Sequence, residues 1–411
     1  MSKPSEEPNW DYLHALVAEK FTPSAPIDVV HFFAGRWEQL TAIKDAVVAK
    51  GQHAVVFGER GVGKTSLVSV VGPLLKVHKV DVPMVVRENC GRGDTYGKVW
   101  RRALRQVVIV KNKDKIGFGV RSSQTAESLA DGLSGEPGPD EIIPLLRTLG
   151  GRLVMVFDEF DQMADPASTK PFADTIKALS DYAVPSTVII VGVGDSVGQL
   201  LESHTSVERA LVQIPVPRMR TEELAEILTK VADDIGVSFA PTAAQRIVEF
   251  SQGLPHYTHL LGLHSTRAAL RQHRLEIRND DVTEGVNVAV SKVPRSTLEA
   301  YQNAVDSPQK DALFKHVLLA CALTRMDDRG SFAPGDIRLA LRSVGRELEI
   351  PAYAPHLNKF ASPERGCILE KLGLQRRFRY RFKNPLLQPY VVLRGLAEHL
   401  VTVDQVRTAS E

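Results

Sequence analysis

Apolar positions at helical spacing first occur at Trp10, Leu13, Leu16 and Val17. They follow Asn9 and predict a short capped helix running to Phe21. Residues 1–8 are polar and read as a frayed terminus, and Pro23 and Pro26 force an extended passage. A second helical pattern, about 36–50, ends at Gly51. The period then changes. His53–Phe57 (HAVVF) is a short continuous apolar run that predicts a buried strand, followed at once by glycines and another helix. Similar runs recur at Met84–Glu88, Leu153–Phe157 and Thr187–Val193. Helical patterns lie between them at about 95–109, 140–149 and 169–182. Residues 111–140 read as an insertion, with Ile116–Arg121 as a hairpin strand and GLSGEPGPD as a loop. Continuous apolar strands alternating with helices predict an α/β fold, a parallel sheet covered on both faces.

After Pro217 the long apolar strands cease. Helical patterns at about 221–235, 242–251, 255–273 and 279–291 predict a small helical domain, with Val293-Pro294 as its joint to the next. Three more helical stretches (309–324, 334–346 and 353–372) precede an alternating segment, Gln375–Lys383 (QRRFRYRFK). Helix, helix, helix, wing is the order of a winged helix-turn-helix. The predicted boundaries are 1–26 for the N-terminal helix and linker, 27–218 for the α/β core, 219–294 for the helical domain, 295–400 for the winged helix and 401–411 for a tail. A length of 411 residues suits such a division at about 150 residues per domain.

Composition narrows the class. Hydrophobic residues at 43% and charged residues at 24% are globular values and exclude a disordered or fibrous chain. The 51 basic and 49 acidic residues leave a net charge of +2, so the chain is not basic overall. The charge is unevenly placed, however. Between Asp306 and Arg394 there are 16 Lys/Arg and 9 Asp/Glu. Arg376, Arg377, Arg379, Arg381 and Lys383 concentrate this excess and interleave with Phe378, Tyr380 and Phe382. In a strand, one face is then aromatic and packs on the helices, while the other is cationic and free to meet phosphates. The preceding helix offers His356, Asn358, Lys359 and Arg365, with Pro363 interrupting it, a poor set for reading base edges. Residues 306–394 therefore face DNA through phosphates, or pack on the α/β core or a protein effector. Three scattered cysteines without a CxxC pair point away from a disulfide framework or thiolate zinc site. Neither a secretory signal nor an apolar run of about 18 residues is present, so a cytoplasmic protein with no membrane partner is expected.

The strongest chemical signal is Gly58-Glu59-Arg60-Gly61-Val62-Gly63-Lys64-Thr65. It fits GxxxxGK[ST] and sits after a strand and before a helix, as phosphate binding requires. The glycines let successive backbone N–H groups turn towards a phosphate, and the helix N-terminus adds partial positive charge. Lys64 is expected to reach the β- and γ-phosphates and Thr65 to ligate Mg²⁺, with Ser66 beside them. The second signal is Leu153-Val-Met-Val-Phe157-Asp158-Glu159. Asp158 at the strand tip is the candidate Mg²⁺ carboxylate. Glu159 is the candidate base for the attacking water. Asp161 reads as a helix cap.

With these motifs the chain resembles the AAA+ and STAND classes of P-loop ATPases, in particular the origin-recognition-like ATPases. Phe33-Ala-Gly35-Arg36-Trp-Glu-Gln-Leu40 resembles the F-x-GR-x-x-x-L motif that lines the adenine pocket in that family. Thr187–Ser196 resembles the sensor-1 strand, with the sensor either Asp195 or Ser196. Ser206–Leu211 resembles the region of the arginine finger. The resemblance implies that Arg209 reaches a neighbouring subunit's phosphates. Gln252-Gly-Leu-Pro255-His256 resembles the GxP turn of STAND proteins, whose proline lies near the adenine and β-phosphate. The chain departs from other AAA+ classes in having His256 and Tyr257 where a lid arginine is expected. STAND proteins also use winged helices to hold the ADP state closed.

Three functions follow as expectations. The first is an ATP-hydrolysing switch that needs ATP and Mg²⁺, is slow or partner-stimulated, and forms a homo-oligomer on ATP binding. The second is an ATP-dependent DNA-binding regulator of initiator or transposition type. The third is a non-hydrolysing nucleotide-binding scaffold, against which the presence of both Lys64 and Glu159 argues.

Overall fold

The computed structural model describes residues 8–27, 29–77, 84–113, 123–149, 151–163, 165–193, 207–308, 313–327, 329–374 and 377–410. Its centre is a parallel sheet of five strands: β1 (His53–Phe57), β2 (Met84–Asn89), β5 (Leu153–Asp158), β6 (Ser186–Gly192) and β7 (Leu211–Pro215). Their spatial order is β2-β5-β6-β1-β7. Strands β3 (Val108–Lys113) and β4 (Ser123–Ser128) form a separate antiparallel pair.

The continuous apolar runs are explained by a two-period split between two cores. Ala54, Val56, Val154 and Val156 belong to one core, and Val55, Leu153, Met155 and Phe157 to the other. The second core is closed by the helices Tyr96–Arg105, Pro139–Arg147 and Pro166–Asp181. At its heart Trp100 packs on Phe157 and Phe172, with centroids 5.0 and 6.1 Å away. Full burial of one such ring contributes about 2–3 kcal/mol. The first core runs without a break from the sheet through the helical domain and the C-terminal unit. All three therefore pack together on that face.

The helical domain has helices Thr221–Ile235, Pro241–Ser251, Pro255–Arg271 and Asn279–Ser291, as the periodicity predicts, and a short parallel pair, β8 (Ser238–Phe239) and β9 (Glu276–Ile277). The N-terminal helix Trp10–Lys20 is capped by Asn9, whose Oδ1 accepts from the Tyr12 N–H at 3.0 Å. It packs on this domain: Phe21 sits against Gly262, where a Cβ would lie 2.4 Å from the ring, and Trp10 stacks on His273.

The C-terminal unit contains helices Arg295–Val305, Phe314–Leu323, Ile337–Ser343, Ile350–Phe360 and Leu387–Ala397. Its three-stranded antiparallel sheet has the order β10 (Ser331–Phe332), β12 (Arg379–Phe382), β11 (Leu369–Leu372).

Several elements differ from expectation. The helix expected to 109 stops at Arg105 and gives way to β3, while Ile116–Arg121 lies outside the described residues. Strand β7 was not anticipated. The helix expected over 353–372 ends at Phe360, because Pro363 starts a 3-10 turn and Gly366 turns left-handed at φ 73°. Residues 369–372 are instead β11, paired with β12. The expected tail contains a helix, Val403–Ser410, with Val406 and Ala409 buried and Arg407 paired to Glu249 at 2.9 Å.

The alternation in Gln375–Lys383 does put Tyr380 and Phe382 inward, but two of the cations are paired, while Arg377 and Lys383 are exposed. Arg379 donates to Ser331 Oγ and Ser331 O and pairs with Asp327, and Arg381 pairs with Glu370 at 2.7 Å. Arg376 lies outside the described residues.

Candidate nucleotide site

Strands β1 and β5 end side by side across β6, so their carboxyl ends place residues 58–66 and 158–161 around one cavity of about 340 Å³. The loop after β1 is tightly fitted. At Gly58 a Cβ would lie 2.2 Å from Val216 O, and Gly61 has φ +85° with Leu386 Cδ2 2.8 Å from where a Cβ would stand. A side chain at Gly58 would clash with backbone, and the left-handed φ at Gly61 disfavours one there. Arg60, Gly61, Val62, Gly63, Lys64, Thr65 and Ser66 all line the cavity. Gly58 and Glu59 do not line it; they shape the loop behind it.

Lys64 opens the helix Lys64–Ser69, and its ammonium donates to Gly58 O at 2.9 Å and Glu59 O at 2.7 Å. Burial pushes its pKa down to about 8, against the pull of Asp161, Asp158 and Glu59. Such a cation is poorly solvated, and an anionic ligand would hold it charged. Thr65 Oγ1 donates to Asp158 Oδ2 at 2.9 Å. A half-buried hydroxyl beside a buried carboxylate is a hard oxygen donor pair and fits a small divalent cation. Asp158 Oδ1 accepts from the Glu159 N–H at 2.8 Å. Glu159 has φ 54°, a left-handed turn that leaves the strand line and sets this exposed residue on the cavity wall. Asp161 also lines the cavity and caps no helix; Asp165 caps the following one, accepting from the Ala167 N–H at 3.0 Å.

The opposite wall is built from the Phe33–Arg36 segment and the helical domain. Two carboxylates of the helix Thr221–Ile235 grip its backbone: Gly35 N–H donates to Glu226 Oε2 at 2.9 Å and Arg36 N–H to Glu223 Oε1 at 3.0 Å. Phe33 and Arg36 line the cavity; Gly35 lies against Glu223 and does not. Arg36 donates to Pro217 O at 2.7 Å, while its Nε and Nη1 are buried without a hydrogen-bond partner. Its pKa falls to about 10 through burial, opposed by Glu223. Pro255 closes the same wall 3.7 Å from a Cβ built at Gly63.

The family described as Novel STAND NTPase 1 matches residues 26–340. The chain belongs to that family. No curated protein matches. Among solved structures, the chain is similar to the ORC2 protein of Aeropyrum pernix in its ADPNP-ADP complexes, at 13% identity and TM-score 0.52, covering 96% of this chain and 99% of that one. It is also similar to a Walker-type ATPase of Pyrococcus abyssi, at 14% identity and TM-score 0.50, covering 90% and 99%. These likenesses establish the fold alone: the chain shares the central parallel sheet and flanking helices of those two proteins. The family carries nucleotide-dependent NTPase activity.

One expected position of this STAND NTPase, Arg209, lies apart from the cavity. Arg209 lies in the 3-10 turn Glu208–Ala210 that leads into β7, whose first residue Leu211 pairs with His53 at the start of β1. It therefore sits at the amino end of the sheet, a strand length of about 17 Å from its own P-loop. Its side chain is 75% exposed and pairs with Asp181 at 3.1 Å. Asp195 and Ser196 lie outside the described residues.

Sequence reasoning assigned no role to four contributors, Leu386, Arg218, His256 and His259. Leu386, from the C-terminal unit, lines the cavity. Arg218 joins the loop to two other parts: it donates to Glu59 Oε2 at 2.6 Å, to Gln252 O at 3.1 Å and to Gln388 Oε1 at 2.5 Å. His256 Nδ1 donates to Pro23 O at 2.6 Å, and His259 Nδ1 accepts from the Thr22 N–H at 3.3 Å. The two imidazoles thus hold opposite tautomers and strap residues 22–23 onto the cavity rim. No pattern marks Leu386 or Gln388, but Arg218 follows the Pro217 at which the α/β core ends.

Proposed function

We propose that this NTPase is an ATP-driven switch in which the C-terminal unit docks directly on the nucleotide loop. One observation carries the reading: Leu386 of the C-terminal unit packs on Gly61 and shares the cavity wall with Lys64. Tyr257 reinforces it by donating its hydroxyl hydrogen to Leu386 O at 2.7 Å. A ligand that reorders residues 58–64 then changes the seat on which Leu386 rests, and displacement of Leu386 changes the loop.

Within the site, Lys64 holds the phosphate tail. Thr65 and Asp158 hold Mg²⁺, which supplies charge neutralisation to the phosphates. Glu159, exposed on the cavity wall, orients the attacking water and accepts its proton. The apolar wall with Phe33 and Pro255 takes the adenine, and Arg36 carries unpaired donors towards an anion. Because Arg209 stands at the far end of the sheet, it acts only on the site of a second copy, so ATP-dependent assembly completes the catalytic set. The pairing of Arg379 and Arg381 within their own unit favours a protein contact, in this chain or an effector, over phosphate binding by the wing.

The test compares wild type with Lys64→Ala, Glu159→Gln and Leu386→Ala. Lys64→Ala should lose nucleotide binding, and Glu159→Gln should bind ATP without turnover. Leu386→Ala should release fluorescent ADP faster and show larger ATP-dependent assembly by light scattering. Unchanged release from Leu386→Ala would sink the docking reading. DNA-stimulated turnover with binding that weakens steeply in salt would restore the DNA-binding one.

A further inference from the structure

We propose that Arg87 is a positioning residue for Asp158, holding its carboxylate when no divalent cation is bound and setting how strongly nucleotide binding depends on Mg²⁺. The inference rests on the reading that Thr65 and Asp158 hold that cation.

Arg87 stands on β2, the edge strand beside β5, in register with Val156. Side chains along β2 alternate between faces, and Arg87 points to the face that carries the helix Lys64–Ser69. Its Nη2 donates to Asp158 Oδ2 at 2.8 Å and its Nη1 to Ser69 Oγ at 2.7 Å. Ser69 Oγ in turn donates to Thr65 O at 2.8 Å. The guanidinium thus bridges the tip of β5 and the helix that carries Lys64 and Thr65. Asp158 Oδ2 takes two donors, Thr65 Oγ1 and Arg87 Nη2, while Oδ1 takes the Glu159 N–H.

This arrangement has an electrostatic consequence. The Asp158 side chain is 3% exposed and that of Arg87 is 30% exposed. A carboxylate so deeply buried needs a positive partner, and Arg87 supplies one within the protein. A divalent cation placed beside Thr65 and Asp158 meets the same oxygen and a fixed positive charge next to it. In a poorly solvated site that repulsion is large compared with the same pair in water. The cation must therefore share Asp158 with Arg87 or displace it. Displacement also frees Ser69 Oγ from Arg87, so metal binding is felt along the Lys64–Ser69 helix. No other Lys or Arg side chain of the described residues makes a hydrogen bond or ion pair to Asp158.

The test is a binding experiment on the full chain. The dissociation constant of mant-ADP is measured in EDTA and at saturating Mg²⁺, and their ratio is compared across wild type, Arg87→Gln, Arg87→Lys and Asp158→Asn. The ratio should rise roughly tenfold or more in Arg87→Gln, because the competing charge is gone. It should stay near wild type in Arg87→Lys, which keeps a cation there and guards against a folding defect of the neutral variant. It should fall towards one in Asp158→Asn. An unchanged or smaller ratio in Arg87→Gln, with Asp158→Asn behaving as stated, overturns the role of Arg87 alone. A wild-type ratio in Asp158→Asn overturns the metal reading and the inference with it.

Discussion

Arg218 joins three parts of the chain through one guanidinium, and removing it should loosen all three together. It reaches Glu59 in the nucleotide loop, Gln252 at the turn before Pro255, and Gln388 in the C-terminal unit. Gln388 is 1% exposed and also donates to Ala322 O at 2.8 Å. The Arg218–Glu59 side chains are 19% and 15% exposed. Breaking a fully buried pair costs roughly 3–5 kcal/mol, and an exposed pair contributes under about 1 kcal/mol. The intermediate burial places Arg218→Ala at about 2 kcal/mol, roughly a 30-fold shift in the docking equilibrium. Hydrogen exchange at the amides of residues 386–388 and 59–64 reads that equilibrium directly. Both segments should exchange faster by a similar factor, and release of bound nucleotide should accelerate with them. Arg218→Lys, which keeps the charge but not the fork, should fall between. If the two segments fail to change together, or if exchange rises only at Gln252, Arg218 is not a joint latch and the coupling runs elsewhere.

Two further outcomes are expected. Mixing Arg209→Ala with Glu159→Gln subunits, each inactive alone, should recover turnover because some interfaces then pair an intact Arg209 with an intact Glu159; persistent inactivity at high concentration excludes a shared site. His53 accepts from the Val188 N–H at 3.0 Å, its Nε2 is buried without a partner, and burial lowers its pKa to about 4. The folded state then binds fewer protons than the unfolded one between about pH 4 and 6.5. Stability is full above that window and falls as pH drops through it, by about 2 kcal/mol at pH 5. His53→Asn keeps an acceptor for Val188 and should flatten this part of the pH profile of urea unfolding; an unchanged slope assigns it to other groups.

Legibility in the sequence followed the length scale of the physics. The P-loop and the Asp158-Glu159 strand tip were readable because strand, glycine turn and helix are contiguous, and local geometry determines what they can do. The same holds for Asn9 as a cap and for the helices after Pro217. Strand β7 escaped notice because Leu211–Pro215 is a short edge strand, only partly buried and interrupted by Gln213 and Pro215, unlike the continuous runs of buried strands. The break at Pro363 was visible as a residue but was overridden by the apolar positions on either side. Arg87, Arg218 and Leu386 owe their roles to partners 71, 159 and 129 positions away. No window along the chain contains both halves of those contacts.

The charge argument shows the same limit and leads to a mechanical conclusion. The cationic run reads as a surface for phosphates only while its partners are unknown. Asp327 precedes β10 and Glu370 lies on β11, and both converge on Arg379 and Arg381 only when the small sheet forms. Among the described residues, Lys371, Arg377 and Lys383 stay outward on this sheet, and Leu374, in the turn beside them, is 82% exposed. Strand β12 runs from that turn straight into Asn384, whose Oδ1 accepts from the Leu386 N–H at 3.3 Å. Leu386 is therefore four residues beyond the end of β12 at Phe382, with its backbone held from both sides. A partner that engages the turn and displaces the sheet would act on Leu386 through this short tether, and through Leu386 on Gly61. On the docking proposed above, the small sheet would then act as a lever on the nucleotide loop without its arginines touching a phosphate.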